Sequence, residues 1–279
     1  MSLKDIKLRM DAIKKTSTIT QAMHNISLSK IRKSTELSSH THTFSSQLFE
    51  VLKYANENID GVSRYCESIE NPNKLYIIIT ADRGLCGSYH NQLFKTFLSE
   101  VKDVKKTDYQ VLIVGKKGYY FGKKYNLPMI NDEIIYHRDD LITMSIRSYA
   151  NIIKKAYEDE LVDEVVIFHN HYLSTASQEI IKKSILPIVF DGEKIHSDYI
   201  YDSSPESVMD KTVSIYVEAK IIESLADAKL SEHAARMVAM KNATDNANQI
   251  VERLHMQYHR ARQQEITSEL IDVVNGSNV

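Results

Sequence analysis

MVAMKNATDNANQIVERLHMQYHRA, residues 237–261, is the stretch that decides the fold. Its apolar or small residues fall at Met237, Met240, Thr244, Ala247, Val251, Leu254, Tyr258 and Ala261. The steps alternate between three and four without a break. That is the heptad pattern of a helix that lays one stripe against a partner helix. Many residues of the stripe are small, so the partner can approach closely. The helix extends well beyond the quoted stretch. Pro205 suits a first helical turn, with Ser203 or Ser204 as its cap, and glycine and proline are then absent until Asn275-Gly276 supply a stop. About 70 helical residues would measure roughly 100 Å.

Such a stripe needs a partner, and the other chain end offers one. Residues 1 to about 58 also lack glycine and proline. Apolar residues recur there at Leu3, Ile6, Met10, Ile13, Met23 and Ile26, then at Leu48, Val51 and Leu52, with Thr16 and Thr20 filling the gap as a partly polar seam. The economical arrangement is one long antiparallel coiled coil, made of an N-terminal helix (1–58) and a C-terminal helix (205–275).

The middle of the chain has a different texture. KLYIIIT (74–80), QVLIVG (110–115) and DEVVIFHNHY (163–172) are short, apolar, β-branched runs, and amphipathic stretches near 91–101 and 144–160 lie between them. Strands alternating with helices indicate a largely parallel sheet. The fold class expected is therefore mixed α/β: the long coiled coil plus a small Rossmann-like α/β foot domain at about 70–200.

Bulk properties narrow the function classes. The chain has 279 residues, 43% hydrophobic and 26% charged, with a formal net charge of −2. That balance gives no reason to expect nucleic acid as a partner. Two cysteines, Cys66 and Cys86, do not make a disulfide scaffold in a chain of this length. No apolar run approaches the ~20 residues that span a bilayer. Asp5 and Asp11 fit neither a signal peptide nor an acid-poor transit peptide.

Candidate chemistry is sparse. ITADRGLCG (79–87) follows a strand and precedes a helix, where backbone amides can hold a phosphate. Its spacing is neither that of a dinucleotide fingerprint nor that of a P-loop, and Gly115, Gly118 and Gly122 have the wrong spacing too. A structural turn is the preferred reading. Cys86 could be a nucleophile near a helix N-terminus, but a small buried thiol is favoured, because no Cys-His-Asn set can be assembled from the sequence. His169 and His171 share one face of a strand and could begin a zinc site. No further ligands stand out, so solvated strand-end histidines are expected. His40 and His42 receive no role. The first helix is basic: Lys4, Lys7, Arg9, Lys14, Lys15, Lys30, Arg32 and Lys33 stand against Asp5, Asp11 and Glu36, a local charge of +5. A solvated face and a face for an acidic partner both fit that charge.

Three blocks of the sequence resemble the gamma subunits of F-type ATP synthases: KDIKLRMDAIKKTSTITQAMHNISLSKIRK (4–33), ITADRGLCG (79–87) and, most specifically, the block from Ala235 to Leu270. The resemblance implies a central rotor shaft inside a ring of alpha and beta subunits, without catalysis or cofactor of its own. ATP, ADP and Mg would be bound by the partner subunits. Met23, Lys30, Arg32 and Lys33 match the stretch facing the acidic lever segment of beta. Arg262, Gln263 and Thr267 match the contacts to its catch loop. Tyr201, Asp202 and Glu206 match the foot near the epsilon subunit and the membrane ring. The implied location is peripheral, on the cytoplasmic side of a bacterial membrane. Asn25, Ser27 and Ser29 replace an apolar patch usual in the family, Ser88-Tyr89-His90 follow LCG where glycine and asparagine are usual, and Asn275-Gly276-Ser277-Asn278-Val279 replace the usual Gly-Gly-Ala run. These departures raise an alternative, a shaft of a diverged F-type-like ATPase coupled to something other than proton transport. An enzyme on the central domain would need a pocket with convergent polar groups. A self-associating scaffold would show as a dimer.

Overall fold

The computed structural model describes residues 2–59, 63–140, 146–190 and 203–276. Its elements in chain order are α1 (Leu3–Glu57), β1 (Lys74–Ile79), α2 (Tyr89–Glu100), β2 (Tyr109–Val114), α3 (Lys116–Lys124), α4 (Ile146–Glu158), β3 (Glu164–Tyr172), β4 (Gln178–Leu186) and α5 (Pro205–Gly276). The chain forms two compact units. One combines Met1–Leu28 with Arg236–Val279, and the other is Ser29–Ala235.

The first unit is an antiparallel helix pair. Met240, Thr244, Ala247 and Leu254 of α5 are buried, and Met237, Val251, Tyr258 and Ala261 are half-buried. These are the eight positions of the expected heptad stripe. On α1 the buried or half-buried positions are Leu3, Ile6, Met10, Ile13, Ser17, Thr20, Met23, His24 and Ser27. Side-chain bonds fix the direction of pairing. Ser17 Oγ donates to Asn248 Oδ1 at 2.7 Å, the Thr20 and Thr244 hydroxyls lie 2.6 Å apart, and His24 Nδ1 meets the Met237 carbonyl oxygen at 3.1 Å. As the number rises along α1, it falls along α5.

Two positions on α1 depart from the expected stripe. Thr16 is exposed, and its hydroxyl bonds back to the Ala12 carbonyl; the seam passes through Ser17 instead. Ile26 is 56% exposed, whereas Ser27 is buried and its hydroxyl donates to the Met23 carbonyl. An apolar residue was expected to mark the seam, but a serine that satisfies its hydroxyl within its own helix can stand in the seam too. This accounts for one of the polar departures from the family pattern.

The second unit packs helices on both faces of a four-stranded sheet of order β2-β1-β3-β4. β1 pairs in parallel with β2 and β3, while β4 is an antiparallel edge. Because both faces of β1 are covered, its run LYIII is buried throughout, as parallel strands require. Leu75, Ile77 and Ile79 face α4, the end of α1 and the first part of α5, represented by Ile153, Leu52 and Val213. Tyr76 and Ile78 face α2, with Tyr76, Phe97 and Phe168 meeting edge to face. β4 was not expected from sequence. As an edge strand it carries Glu179, Lys182 and Lys183 among its apolar residues, which blurs the strand signal and also protects the edge. The N-cap of α5 is Ser204, whose hydroxyl accepts from the Ser207 amide at 3.4 Å.

In this unit α5 is covered on nearly all sides. Lys220, Asp227, Lys229, Glu232 and His233 are all buried along it. Buried charges must be paired. Glu223 Oε2 accepts from Ser45 at 2.6 Å and from Lys220 at 2.8 Å, and its Oε1 meets His42 at 2.9 Å. Burial raises the Glu223 pKa, but the bonds from His42, Lys220 and Ser45 outweigh it and hold the carboxyl at about 2. His42, given no role from sequence, thus helps to tie α1 to α5.

Candidate partner-binding surfaces

The first unit leaves two surfaces bare. Arg262 to Ile271 of α5 are exposed without interruption, beyond the level at which α1 begins. Arg262, Gln263 and Thr267 all lie there, and the Thr267 hydroxyl donates to the Gln263 carbonyl at 2.8 Å. Ile266, Leu270 and Val273 share one side of this end and are 43%, 61% and 69% exposed. The second bare surface is the face of α1 turned away from its seam, where Leu8 and Ile19 join Ile26 as exposed apolar residues. Met23 is half-buried in the seam, roughly 30 Å along the pair from Arg262. Met23 and the group of Arg262, Gln263 and Thr267 therefore sit at separate levels of the first unit.

In the second unit, Arg32 and Lys33 are exposed on α1. Lys30 is committed within its own chain, in an ion pair with Asp139. Asp139 also lies 3.5 Å from His233 and 3.6 Å from Lys229. The His233 bond, helped by Lys30 and against the effect of burial, keeps the Asp139 carboxyl well below the usual carboxylate range. Glu206 is exposed in the first turn of α5, and a bond from its own backbone amide, with one from Ser204, lowers its pKa. Tyr201 and Asp202 lie outside the described residues.

The turn from β2 into α3, where a phosphate could have bound, is closed by the chain itself. At the N-terminus of α3 the Lys116 amide donates to Asp82 Oδ1 at 2.9 Å, that of Lys117 to the Ala81 carbonyl at 3.1 Å, and that of Gly118 to Thr80 Oγ1 at 2.9 Å. The Asp82 carboxylate takes the place an anion would have. Gly115 has φ +96°, and a Cβ there would lie 2.3 Å from the Thr80 carbonyl oxygen, so glycine is required by close approach as well as by conformation. Tyr89, one of the family departures, is buried with its hydroxyl bonded to the Ala228 carbonyl at 3.0 Å.

The buried-thiol reading of Cys86 holds with one addition, and the reading of the paired histidines changes. Cys86 does have a histidine beside it: His90 Nδ1 is 3.3 Å from the sulfur, and His90 Nε2 accepts from the Ala81 amide. The thiol is nonetheless 3% exposed, so the pair is a core contact. His169 and His171 were expected to be solvated, but His169 is buried and both rings bond Asp227, at 3.0 and 2.7 Å. Asp227 comes from α5, more than fifty residues away, and local spacing could not reveal it. Among the described residues no group of three His, Cys, Asp or Glu side chains is placed to hold a metal ion.

Comparison with known proteins agrees with this architecture. The ATP synthase family model matches residues 2–279. The ATP synthase gamma chain of Macrococcus caseolyticus (strain JCSC5402) is 32% identical over 285 aligned positions, covering 99% of this chain and 98% of that one. Among solved structures, a chain of the Euglena gracilis mitochondrial ATP synthase in the OSCP/F1/c-ring assembly shares the fold with a TM-score of 0.69 at 19% identity, over 99% of this chain and 93% of its own. A chain of the rotor of the same enzyme gives 0.66 at 21% identity, over 95% and 98%. A coiled coil with this heptad seam, an α/β unit whose β2–α3 turn is held by its own side chains, and end-to-end similarity to a gamma chain together place this protein in the ATP synthase gamma-chain family.

Proposed function

We propose that the chain is the rotating central shaft of an F-type ATP synthase and performs no catalysis itself. The observation that carries this reading is the bare end of α5. A helix that exposes Ile266, Leu270 and Val273 buries nothing against its own chain there. Most helical stability in proteins comes from packing an apolar face, so a surrounding sleeve is the natural support. Alpha and beta subunits would form that sleeve, with ATP, ADP and Mg bound on them. Arg262, Gln263 and Thr267 would meet the beta catch loop. Met23, Arg32 and Lys33 would meet the acidic lever segment, with Lys30 contributing only where its bond to Asp139 is released. Glu206, with Tyr201 and Asp202, would lie toward epsilon and the membrane ring. No nucleic acid takes part. Among the described residues no helix is long and apolar enough to cross a membrane, which suits a peripheral subunit on the cytoplasmic side of a bacterial membrane.

Mechanically, an off-axis pair of helices turning inside a ring would press on the three catalytic sites in turn. A shaft must grip at a few levels and slide elsewhere, and polar groups at separated levels of an otherwise solvated surface suit both needs. The test is single-molecule rotation of the complex reconstituted with its alpha and beta subunits, with a bead on the α/β unit. ATP should drive one-way rotation in three equal steps. Hydrolysis by the ring with a stationary bead, or hydrolysis by the isolated chain, would overturn the proposal.

A further inference from the structure

Between α2 and α3 lies a groove of about 810 Å³ whose lining is unusual for a chain with a net charge of −2. It holds Lys95, Lys102, Lys117 and Lys124 and no acidic residue. Among the described residues none of these four lysines is in an ion pair. They form two rows, Lys95 and Lys102 on the α2 side and Lys117 and Lys124 on α3. Lys117 and Lys124 are seven apart on α3, about two turns or roughly 10 Å, and Lys102 lies in the turn just past the end of α2. The floor between the rows is apolar, made by Phe94, Leu98 and Phe121, and Tyr120 stands on the rim with 56% of its surface exposed.

From this we propose that the α2–α3 groove docks an amphipathic helix of a partner protein, one whose apolar stripe is flanked by Asp and Glu. The apolar floor between cationic rims is the complement of such a helix, which would set its apolar side chains on Phe94 and Leu98 and its carboxylates beside the lysines. Two other anionic partners fit less well. A concave groove cannot lie against a flat lipid surface. Phe94 and Phe121 are stacked on each other, with centroids 3.9 Å apart and planes 4° apart, so those two ring faces are already taken and cannot stack on bases.

The test uses the full chain in its native complex, with a photo-cross-linking p-benzoylphenylalanine at position 120 and mass spectrometry of the cross-linked peptide. The expected product joins this groove to a segment of another protein that has apolar residues at helical spacing flanked by acids. K95E combined with K124E should lower the yield at least tenfold, and replacing the partner's acids by lysine should restore it. K102Q with K117Q, a milder change on exposed residues, should give a smaller loss with an unchanged circular dichroism spectrum. A cross-link to lipid, to nucleic acid or to a basic segment, no cross-link at all, or a yield insensitive to the lysine changes would overturn the proposal.

Discussion

Removing the charge of Glu223 should destabilise the α/β unit by about 3 kcal/mol at neutral pH. The structure supplies the reasoning. Glu223 and Lys220 are 2.8 Å apart, with side chains 13% and 8% exposed. Taking away one member of a buried pair leaves the other uncompensated, which typically costs ~3–5 kcal/mol. In E223Q the remaining amide oxygen can still accept from Ser45, so the lower end of that range applies. The pH dependence has a definite sign. The Glu223 carboxyl has a folded pKa of about 2, against 4.5 as its ordinary value. A depressed carboxyl adds stability above its unfolded pKa and loses that stability as pH falls through its folded value. The gap between wild type and E223Q should therefore be full above pH 4.5 and shrink steadily toward pH 2. Urea unfolding of the full chain, followed by circular dichroism at several pH values, measures it; the midpoint should move with little change in slope. A second variant guards the logic: K220M with E223L removes both charges and should recover most of the loss. A gap below about 1 kcal/mol at pH 7 would refute the pairing argument, and so would a gap that widens with acid.

Other outcomes follow from the same contacts. G115A should lose on the order of 3 kcal/mol or fail to accumulate as soluble protein, because a methyl group would meet the Thr80 carbonyl at 2.3 Å in a backbone region that disfavours side chains; thermal unfolding checks this. T20V and T244V should each cost about 1 kcal/mol by removing the bond between the two hydroxyls, because the hydroxyl left behind keeps its own-helix bond, Thr20 to the Ser17 carbonyl or Thr244 to that of Met240; the double variant should cost less than the sum. A double-mutant cycle in urea reads that difference. Truncation after Ala261 should leave the unfolding midpoint of the isolated chain nearly unchanged, since Arg262 to Ile271 are all exposed, but should weaken retention in the alpha–beta complex on gel filtration.

The legible and illegible parts of this molecule differ for physical reasons. The α5 seam was readable because a heptad is a local pattern, and every one of its eight positions is buried or half-buried. β1, β2 and β3 were readable because parallel strands covered on both faces must be continuously apolar. The seam of α1 was harder between Ile13 and Met23, since its threonines and serines carry no apolar signal. Whether Thr16 or Ser17 faces the partner depends on that partner. The bonds of Asp227 to His169 and His171, of Glu223 to His42, and of Asp139 to Lys30 join residues far apart in sequence, and no spacing rule reaches them. Lys30 shows the consequence: a basic residue on a long helix was read toward an outside partner, and the chain's own Asp139 takes it first.

The polar layer in the coiled coil also bears on what a torque-carrying shaft requires. Antiparallel helices with only small and aliphatic seam residues can slip by a heptad at little cost, because each Ala or Val finds another apolar residue opposite. Here a slip of seven residues would set Thr20 against Val251 or Met237 in place of Thr244, and would take Ser17 away from Asn248. Thr20 and Thr244 would keep their own-helix bonds to the Ser17 and Met240 carbonyls, but each inter-helix bond lost costs about 0.5–1.5 kcal/mol. The polar positions thus trade some apolar burial for a single register, the use to which buried polar residues in coiled coils are best suited. If the pair turns under load inside a ring, a fixed register keeps the angle at one level of the shaft tied to the angle at another. Replacing Ser17, Thr20, Thr244 and Asn248 together by Ala and Val should then give a pair that is no less stable to urea but no longer held in one register. Disulfide trapping between cysteines placed at exposed flanking positions would show it: several pairings in the variant against one in the wild type. A single pairing in both would mean that the apolar residues alone set the register.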